Sequence, residues 1–159
     1  MTAPQPLPHP GVRIPPPFIY VAGFGLGWLL HRWWPLPITA SASRVRVVVA
    51  AACIVIWLAF MFGAFVMFLR ARTAIIPNRP AASLVTSGPY RFTRNPMYVS
   101  LVALYIGVTL IIDSWWPLLL LPVVVLVIQR AVIAREERYL ASAFPAEYAA
   151  YRQRVRRWL

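Results

Sequence analysis

The feature that most constrains this chain is an uninterrupted apolar run, residues 47–69, which holds 23 residues without a charge. An α-helix rises about 1.5 Å per residue, so this run would form a helix roughly 34 Å long. The hydrocarbon core of a bilayer is about 30 Å thick. Because 60% of all residues are also hydrophobic, the sequence predicts an integral membrane protein.

Three further apolar stretches have membrane-compatible composition. The first ends at Trp33-Trp34, a pair typical of the membrane interface. Residues 97–128 carry one charge, Asp113, and one straight helix of that length would be about 48 Å, which is too long for a bilayer. Asp113-Ser114 and Pro117 predict a turn there. We therefore predict an all-α, polytopic helical bundle with four transmembrane helices, near 18–34, 47–69, 97–112 and 115–134, of which the last two form a hairpin.

The length of 159 residues allows one domain, residues 18–159, because the apolar segments use most of the chain. Residues 1–17 contain seven prolines and are predicted to be a disordered or extended leader. A cleaved signal peptide is the alternative, but polar and aromatic residues at 31–35 separate its apolar part from any cleavage site. Gly23 and Gly27 form a face suited to close helix contact, through which we expect oligomerisation.

The net charge of +12 comes from sixteen arginines against four acids. In a soluble protein this excess would suggest nucleic acid, but here the arginines flank apolar spans, so we predict a membrane and no nucleic acid as partner. In the four-span arrangement, thirteen arginines fall on one side and three on the other. The positive-inside rule then places the loop 70–96 and the tail 135–159 in the cytoplasm. One cysteine and two histidines offer no metal site.

The tail shows a helical pattern of its own. Tyr148, Tyr151, Val155 and Trp158 fall at spacings of three, four and three, which places them on one face of an amphipathic C-terminal helix. We expect this helix to lie on the membrane surface. The alternative is that it covers a site as a lid.

Polar chemistry is concentrated in two separated segments. Asn95-Pro96 predicts an N-cap followed by proline at the first helical position, and a helix start attracts anions. Arg91 and Arg94 add positive charge beside it, so together they are suited to a carboxylate. The adjacent residues Glu136-Glu137 follow the fourth span. Their side chains point about 100° apart on a helix, so one can face a ligand while the other pairs with arginine.

These segments resemble the isoprenylcysteine carboxyl methyltransferase and phospholipid methyltransferase group of integral membrane enzymes. The resemblance covers residues 84–159 and is carried by the order and spacing of several motifs. Asn95 stands where the eukaryotic enzymes have histidine. The motifs are Leu84-Val85-Thr86-Ser87-Gly88-Pro89-Tyr90-Arg91, Arg94-Asn95-Pro96-Met97-Tyr98, Glu136-Glu137-Arg138-Tyr139-Leu140, Phe144, Glu147-Tyr148 and Tyr151.

The resemblance implies an S-adenosylmethionine pocket. Its cofactor-binding residues would be Val85, Gly88, Tyr90, Arg94, Asn95, Pro96, Tyr98, Glu136 and Glu137. The aromatic rings of Tyr90 and Tyr98 suit a cationic cofactor. The predicted catalytic residues are Arg91, which would bind an anionic substrate group, Arg94, which would fix a carboxylate, and Glu137, a candidate base.

The sequence thus favours a methyltransferase that modifies a lipophilic substrate at the cytoplasmic side of a membrane. A carboxylate or thiolate acceptor needs no general base, and these motif segments contain no histidine, so O- or S-methylation is preferred over N-methylation of an amine or phospholipid. The rival hypothesis is a small membrane protein that binds lipid or a partner without catalysis. A transporter is disfavoured because no charge lies deep within a span.

Overall fold

The computed structural model of the protein describes residues 9–12, 14–39, 43–71 and 81–159. These residues form five α-helices and a short 3₁₀ turn, with no strand among them, so the all-α prediction is confirmed. The leader residues 1–8, Arg13, residues 40–42 and the loop residues 72–80 lie outside the described part. The helices are α1 (Pro16–Trp33), α2 (Arg44–Arg70), α3 (Pro96–Ile112), α4 (Trp115–Ala143) and α5 (Pro145–Arg154), and the 3₁₀ turn is Gly88–Arg91.

Two helices, α2 and α4, are both long enough and apolar enough to cross a membrane. Helix α3 is apolar but shorter, with 17 residues. The arrangement with four spans therefore stays a prediction. The large side chains left exposed along α1 and α2, among them Phe18, Val55 and Phe62, suit contact with lipid rather than water.

The hairpin between α3 and α4 forms as predicted. Asp113 follows α3 in the left-handed conformation, with φ of 55°, which reverses the chain direction. The Ser114 hydroxyl accepts a hydrogen bond from the Trp116 amide at 3.3 Å and so caps α4. Pro117 occupies the first turn, where a missing N–H costs nothing.

The side chain of Asp113 also holds neighbouring segments together. Its Oδ1 atom accepts hydrogen bonds from the backbone amides of Ile38 and Thr39, at 3.1 and 3.2 Å. Arg46 forms an ion pair with the same carboxylate at 3.3 Å and donates to the Leu110 carbonyl. The connection before α2, the start of α2 and the end of α3 are thereby fixed at one end of the bundle.

Helix α1 packs along α4, and α2 packs along α3. Close approach of α1 and α4 requires glycine, because a Cβ on Gly27 would lie 2.7 Å from the Pro117 backbone and one on Gly23 would lie 2.2 Å from Val124. This corrects the expectation that Gly23 and Gly27 form an oligomerisation face. Since α4 of the same chain already covers both glycines, the face is not free for a second copy.

The N-terminal part differs from the prediction in its last residues. Helix α1 begins at Pro16 instead of residue 18. Before it, Val12 is only 4% exposed and belongs to the hydrophobic core, and Arg135 donates a hydrogen bond to the Gly11 carbonyl at 2.8 Å. The residues described immediately before α1 are therefore packed against α4.

Helix α4 continues past residue 134, where the fourth span was predicted to end. It passes through a π-helical turn, Gln129–Ile133, and ends at Ala143. The apolar pattern stops near residue 134, but the following residues remain good helix formers. The helix therefore continues although its residues become polar. Glu136 and Glu137 lie on this extension.

Candidate functional site

A cavity of about 590 Å³ lies between the extension of α4, the start of α3 and the end of α2. Most of its wall is apolar, and a cluster of polar side chains occupies one part. The apolar wall includes Val12, Pro16, Met61, Phe68, Leu84, Val85, Met97, Leu101 and Leu140. The polar and aromatic wall includes Tyr90, Arg94, Asn95, Tyr98, Glu136, Glu137, Tyr139, Tyr148 and Tyr151.

The two polar segments identified in the sequence meet in this cavity. The Tyr98 hydroxyl donates a hydrogen bond to Glu136 Oε1 at 2.8 Å. Arg94 Nη1 lies 3.2 Å from Glu137 Oε1, and both side chains are largely buried, with 11% and 13% exposure. The start of α3 and the extension of α4 therefore share one site although about 40 residues separate them in sequence.

Glu136 and Glu137 have different partners. Both oxygens of Glu137 are bound by Arg157, with Nε at 3.0 Å from Oε1 and a second bond from Nη2 to Oε2. Among the described residues, Glu136 has no arginine partner and its Oε2 atom accepts no hydrogen bond. Desolvation is the main cause that raises the pKa of Glu136 to about 7, and the nearby charge of Glu137 raises it further. The hydrogen bond from Tyr98 has a smaller, opposite effect. Glu136 lies beyond the predicted span 115–134.

Arg94 is held from three directions. Besides Glu137, its Nη1 atom donates to the Tyr148 hydroxyl at 3.4 Å, and its backbone amide donates to the Arg156 carbonyl at 2.9 Å. Its Nε atom is buried and has no hydrogen-bond partner within the part of the chain that the structure describes. A buried donor without an acceptor costs free energy, and Arg94 as a residue lines the cavity.

Asn95 precedes α3 at the predicted N-cap position, and Pro96 is the first helical residue. The capping prediction is wrong for the side chain, because Asn95 makes no side-chain cap bond. Its Nδ2 atom instead donates to the Arg157 carbonyl at 2.9 Å. The amide group is oriented by its bond to the C-terminal segment, and its oxygen accepts no hydrogen bond from the first amides of α3.

Three of the predicted site residues do not line the cavity: Gly88, Arg91 and Pro96. Gly88 has φ of +59° and starts the 3₁₀ turn, so its contribution is to the backbone path. Arg91 ends that turn and is exposed. Pro96 is buried at the first position of α3. Val85 and Tyr90 do line the cavity.

The C-terminal helix α5 exists, but it ends at Arg154, before two of the four residues assigned to its apolar face. The other two, Tyr148 and Tyr151, are 2% and 3% exposed and line the cavity. The Tyr151 hydroxyl donates to the Tyr90 carbonyl at 2.7 Å. The expectation of a membrane-surface face is therefore corrected, since these aromatic rings cover the site as in the lid alternative. Burial raises the pKa of Tyr151, which keeps its hydroxyl protonated as a donor.

Sequence reasoning missed Arg157 and the cavity-lining residues of the N-terminal part. Arg157 was counted only as one positive charge among many in the tail. The resemblance included Tyr139, Tyr148 and Tyr151 without assigning them roles. For Tyr148 and Tyr151 the spacing of three residues was the available signal, because it places both on one helix face. Tyr139 lies on α4, before the break at Phe144.

The fold and the site together define an all-helical protein with two helices that are long and apolar enough to span a membrane. Its largely apolar cavity has arginine and glutamate side chains in one part of the wall. The sequence profile of the phospholipid methyltransferase family matches residues 45–147. The chain belongs to this family, and the matched region contains both polar segments of the site. Membership implies a membrane methyltransferase.

Two curated relatives match parts of the chain. The cobalt-zinc-cadmium resistance protein CzcN of Cupriavidus metallidurans is 39% identical over 80 residues, which are 50% of this chain and 37% of that protein. An uncharacterized protein of Haemophilus influenzae is 44% identical over 63 residues, 40% of this chain and all of that protein. The matched part thus spans little more than a third of the Cupriavidus protein. No solved structure matches the chain.

Proposed function

We propose that this protein is an S-adenosylmethionine-dependent methyltransferase that acts on a lipophilic substrate at the membrane interface. The observation that carries the proposal is the presence of Arg94 and Glu136 in the wall of one cavity, each with a polar atom that has no hydrogen-bond partner among the described residues. A guanidinium suits the carboxylate of the cofactor, and a carboxylate suits its sulfonium or ribose hydroxyls. The family membership supports the same class of reaction.

The chain's own residues would hold the cofactor as follows. Arg94, beside the start of α3, would bind the carboxylate through its unpartnered Nε. Glu136 would face the sulfonium, with Tyr98 orienting its carboxylate, and the ring of Tyr90 would add a cation–π contact. When bound, the cofactor supplies an electrophilic methyl group whose transfer neutralises the sulfonium. The protein contributes by positioning the acceptor and excluding water.

The apolar wall would receive the lipophilic part of the substrate. Met61 and Phe68 from α2 and Leu101 from α3 line it, so a hydrocarbon group entering from the bilayer would be buried between helices. We further propose a multi-pass protein whose cavity opens on the cytoplasmic side, as the arginine distribution predicts. Arg91, exposed on the 3₁₀ turn, would bind an anionic substrate group at that surface.

The chemical class of the acceptor depends on whether a base is available. Glu137 is a poor base because arginines occupy both of its oxygens, so we transfer the base role predicted for it to Glu136. With a pKa raised to about 7, Glu136 is suited to accept a proton near neutral pH. This observation makes N-methylation of an amine, including that of a phospholipid, a second candidate beside O- or S-methylation.

The test is transfer of a labelled methyl group from S-adenosylmethionine by the purified protein in nanodiscs that contain total membrane lipid. We expect label in the lipid fraction, and Arg94→Ala should reduce it at least tenfold. Mild alkali releases methyl esters as volatile methanol, whereas methyl groups on nitrogen or sulfur stay with the lipid. Absence of transfer would favour the rival, a membrane protein that binds lipid without catalysis.

A further inference from the structure

After α5 ends, the chain returns across the segment that precedes α3. The backbone carbonyl of Arg156 accepts a hydrogen bond from the Arg94 amide at 2.9 Å. The next carbonyl, that of Arg157, accepts two bonds at 2.9 Å, from Thr93 Oγ1 and Asn95 Nδ2. We call residues 156 and 157 the C-terminal clamp, because these three bonds fix it to the segment that carries Arg94.

The side chain of Arg157 connects the clamp to the extension of α4. Its guanidinium binds both oxygens of Glu137 in a bidentate arrangement, which fixes the plane of the carboxylate as well as its position. Arg94 binds one of those oxygens, at 3.2 Å. Arg157 thus provides most of the contacts that Glu137 makes, and Arg94 needs only Nη1 for its own contact.

This arrangement explains why Arg94 has a free donor. If Arg157 were absent, Glu137 would lose its bidentate partner, and Arg94 would be the one arginine left to it among the described residues. Two-point contact with Glu137 would then turn the Arg94 guanidinium toward α4 and occupy the Nε atom that now lies unpartnered. The carboxylate-binding donor would be lost although Arg94 itself is unchanged.

We propose that Arg157 is a positioning residue that acts through Glu137 to keep the Arg94 guanidinium directed at the cavity, so that the C-terminal clamp is part of the cofactor site. This inference rests on the proposed function and deepens it. Arg157 touches neither the cofactor nor the acceptor in this account. Its effect on affinity is transmitted through the Glu137 carboxylate.

A double-mutant cycle tests this transmission. The measured quantity is the dissociation constant of S-adenosylmethionine for the full-length protein in nanodiscs. We expect Arg157→Ala to weaken binding about tenfold, and Arg157→Lys, which keeps the charge but loses the fork, to weaken it by an intermediate factor. In a Glu137→Gln background, Arg157→Ala should change the constant less than twofold.

Arg154→Ala is the matched control, because Arg154 is an exposed arginine near the clamp whose side chain donates only within its own helix. It should leave the dissociation constant unchanged. If Arg154→Ala and Arg157→Ala weaken binding equally, the effect is general electrostatics and the proposal is overturned. The proposal is also overturned if Arg157→Ala costs the same factor with and without Glu137.

A second measurement separates this inference from the proposed function. If the wild-type protein binds no S-adenosylmethionine, the proposed function fails, and hydrogen–deuterium exchange then decides the clamp alone. We expect Arg157→Gln, which retains size and polarity, to accelerate exchange at residues 91–95. Unchanged exchange there would overturn the clamp, and the same experiment reports whether each variant is folded.

Discussion

Two adjacent glutamates in this site have different chemistry because their partners differ. Glu137 is an ion-paired carboxylate bound by Arg94 and Arg157. Glu136 has only the neutral hydroxyl of Tyr98 as a partner among the described residues, and burial raises its pKa to about 7. At the scale of single residues, the site therefore contains one ion-paired carboxylate and one carboxyl group whose pKa is raised to about 7.

The affinity for S-adenosylmethionine should depend on the protonation of Glu136. A sulfonium is attracted by the carboxylate and not by the neutral acid, so affinity should rise about tenfold from pH 6 to pH 8, as the ionised fraction increases through a pKa of about 7. Titration calorimetry in nanodiscs at several pH values measures this. Glu136→Gln should bind weakly with no such pH dependence. A wild-type affinity independent of pH would contradict the role given to Glu136.

The folding stability of the free protein should also depend on the protonation of Glu136, but it should fall with rising pH whereas the affinity rises. The pKa of Glu136 is raised from 4.5 to about 7 by folding, so its contribution is fully present below about pH 4.5 and is lost as pH rises through about 7. The difference is at most about 3 kcal/mol. We expect the melting temperature of wild type, relative to Glu136→Gln, to fall between pH 5 and pH 8. A parallel course of the two curves would refute the shift.

Motifs allowed the prediction of Arg94, Tyr98 and Glu136 in one site, but they did not reveal the importance of Arg157. Each of sixteen arginines is chemically able to pair with Glu137, and sequence does not state which one the fold brings near. The prediction that Asn95 caps α3 failed for a related reason. The orientation of an asparagine amide depends on its tertiary partners, and here the Nδ2 atom donates to the Arg157 carbonyl while the oxygen makes no cap bond.

At the scale of elements, the contact between α1 and α4 depends on missing side chains. Gly27→Ala would place a methyl group 2.7 Å from the Pro117 backbone, which has no rotamer to change. We expect destabilisation of about 1–3 kcal/mol, seen as a lower melting temperature. Gly25→Ala is the control, because no atom lies within 4 Å of its Cβ position. Equal melting temperatures for the two variants would contradict this packing.

Gly23→Ala and Gly27→Ala also test the corrected role of the glycine face. Since α4 covers Gly23 and Gly27 within the chain, neither substitution should change the oligomeric state. Light scattering of the detergent-solubilised protein measures this. A shift to a smaller species with Gly23→Ala but not with Gly25→Ala would restore the oligomerisation hypothesis.

The elements were predictable where local chemistry determines them. The turn at Asp113-Ser114 combines a residue that tolerates positive φ with a helix-capping hydroxyl, so its position followed from the sequence. The length of α4 did not, because hydrophobicity indicates where a membrane ends and not where a helix ends. The packing of Val12 in the core was also unpredictable, since it is formed with residues distant in sequence, among them Val132 and Ile133 of α4.

At the scale of the whole molecule, we expect the site and the loop before α3 to lie on one side of the membrane. Single cysteines test this after Cys53, the one native cysteine, is replaced by alanine. Ser87→Cys and Ala149→Cys are exposed positions at the site end, and Leu36→Cys lies near the Asp113 turn. In sealed vesicles of known orientation, an impermeant maleimide should label the first two from one side and the third from the other.

Labelling of positions 87 and 36 from the same side would contradict the four-span arrangement without affecting the geometry of the cavity. The experiment therefore separates topology from site chemistry. If positions 87 and 149 are both labelled from the outer side and position 36 from the inner side, the four-span arrangement stands but its orientation is the reverse of the one derived from the arginine count.

The most direct test of the central claim is equilibrium binding of S-adenosylmethionine to the purified wild-type protein, compared with Arg94→Ala and Glu136→Ala. We expect saturable binding of one molecule per chain, weakened at least tenfold by each substitution in protein that remains folded. The absence of binding to wild type, or equal affinity in all three proteins, would show that the cavity formed by the start of α3 and the extension of α4 is not a cofactor site.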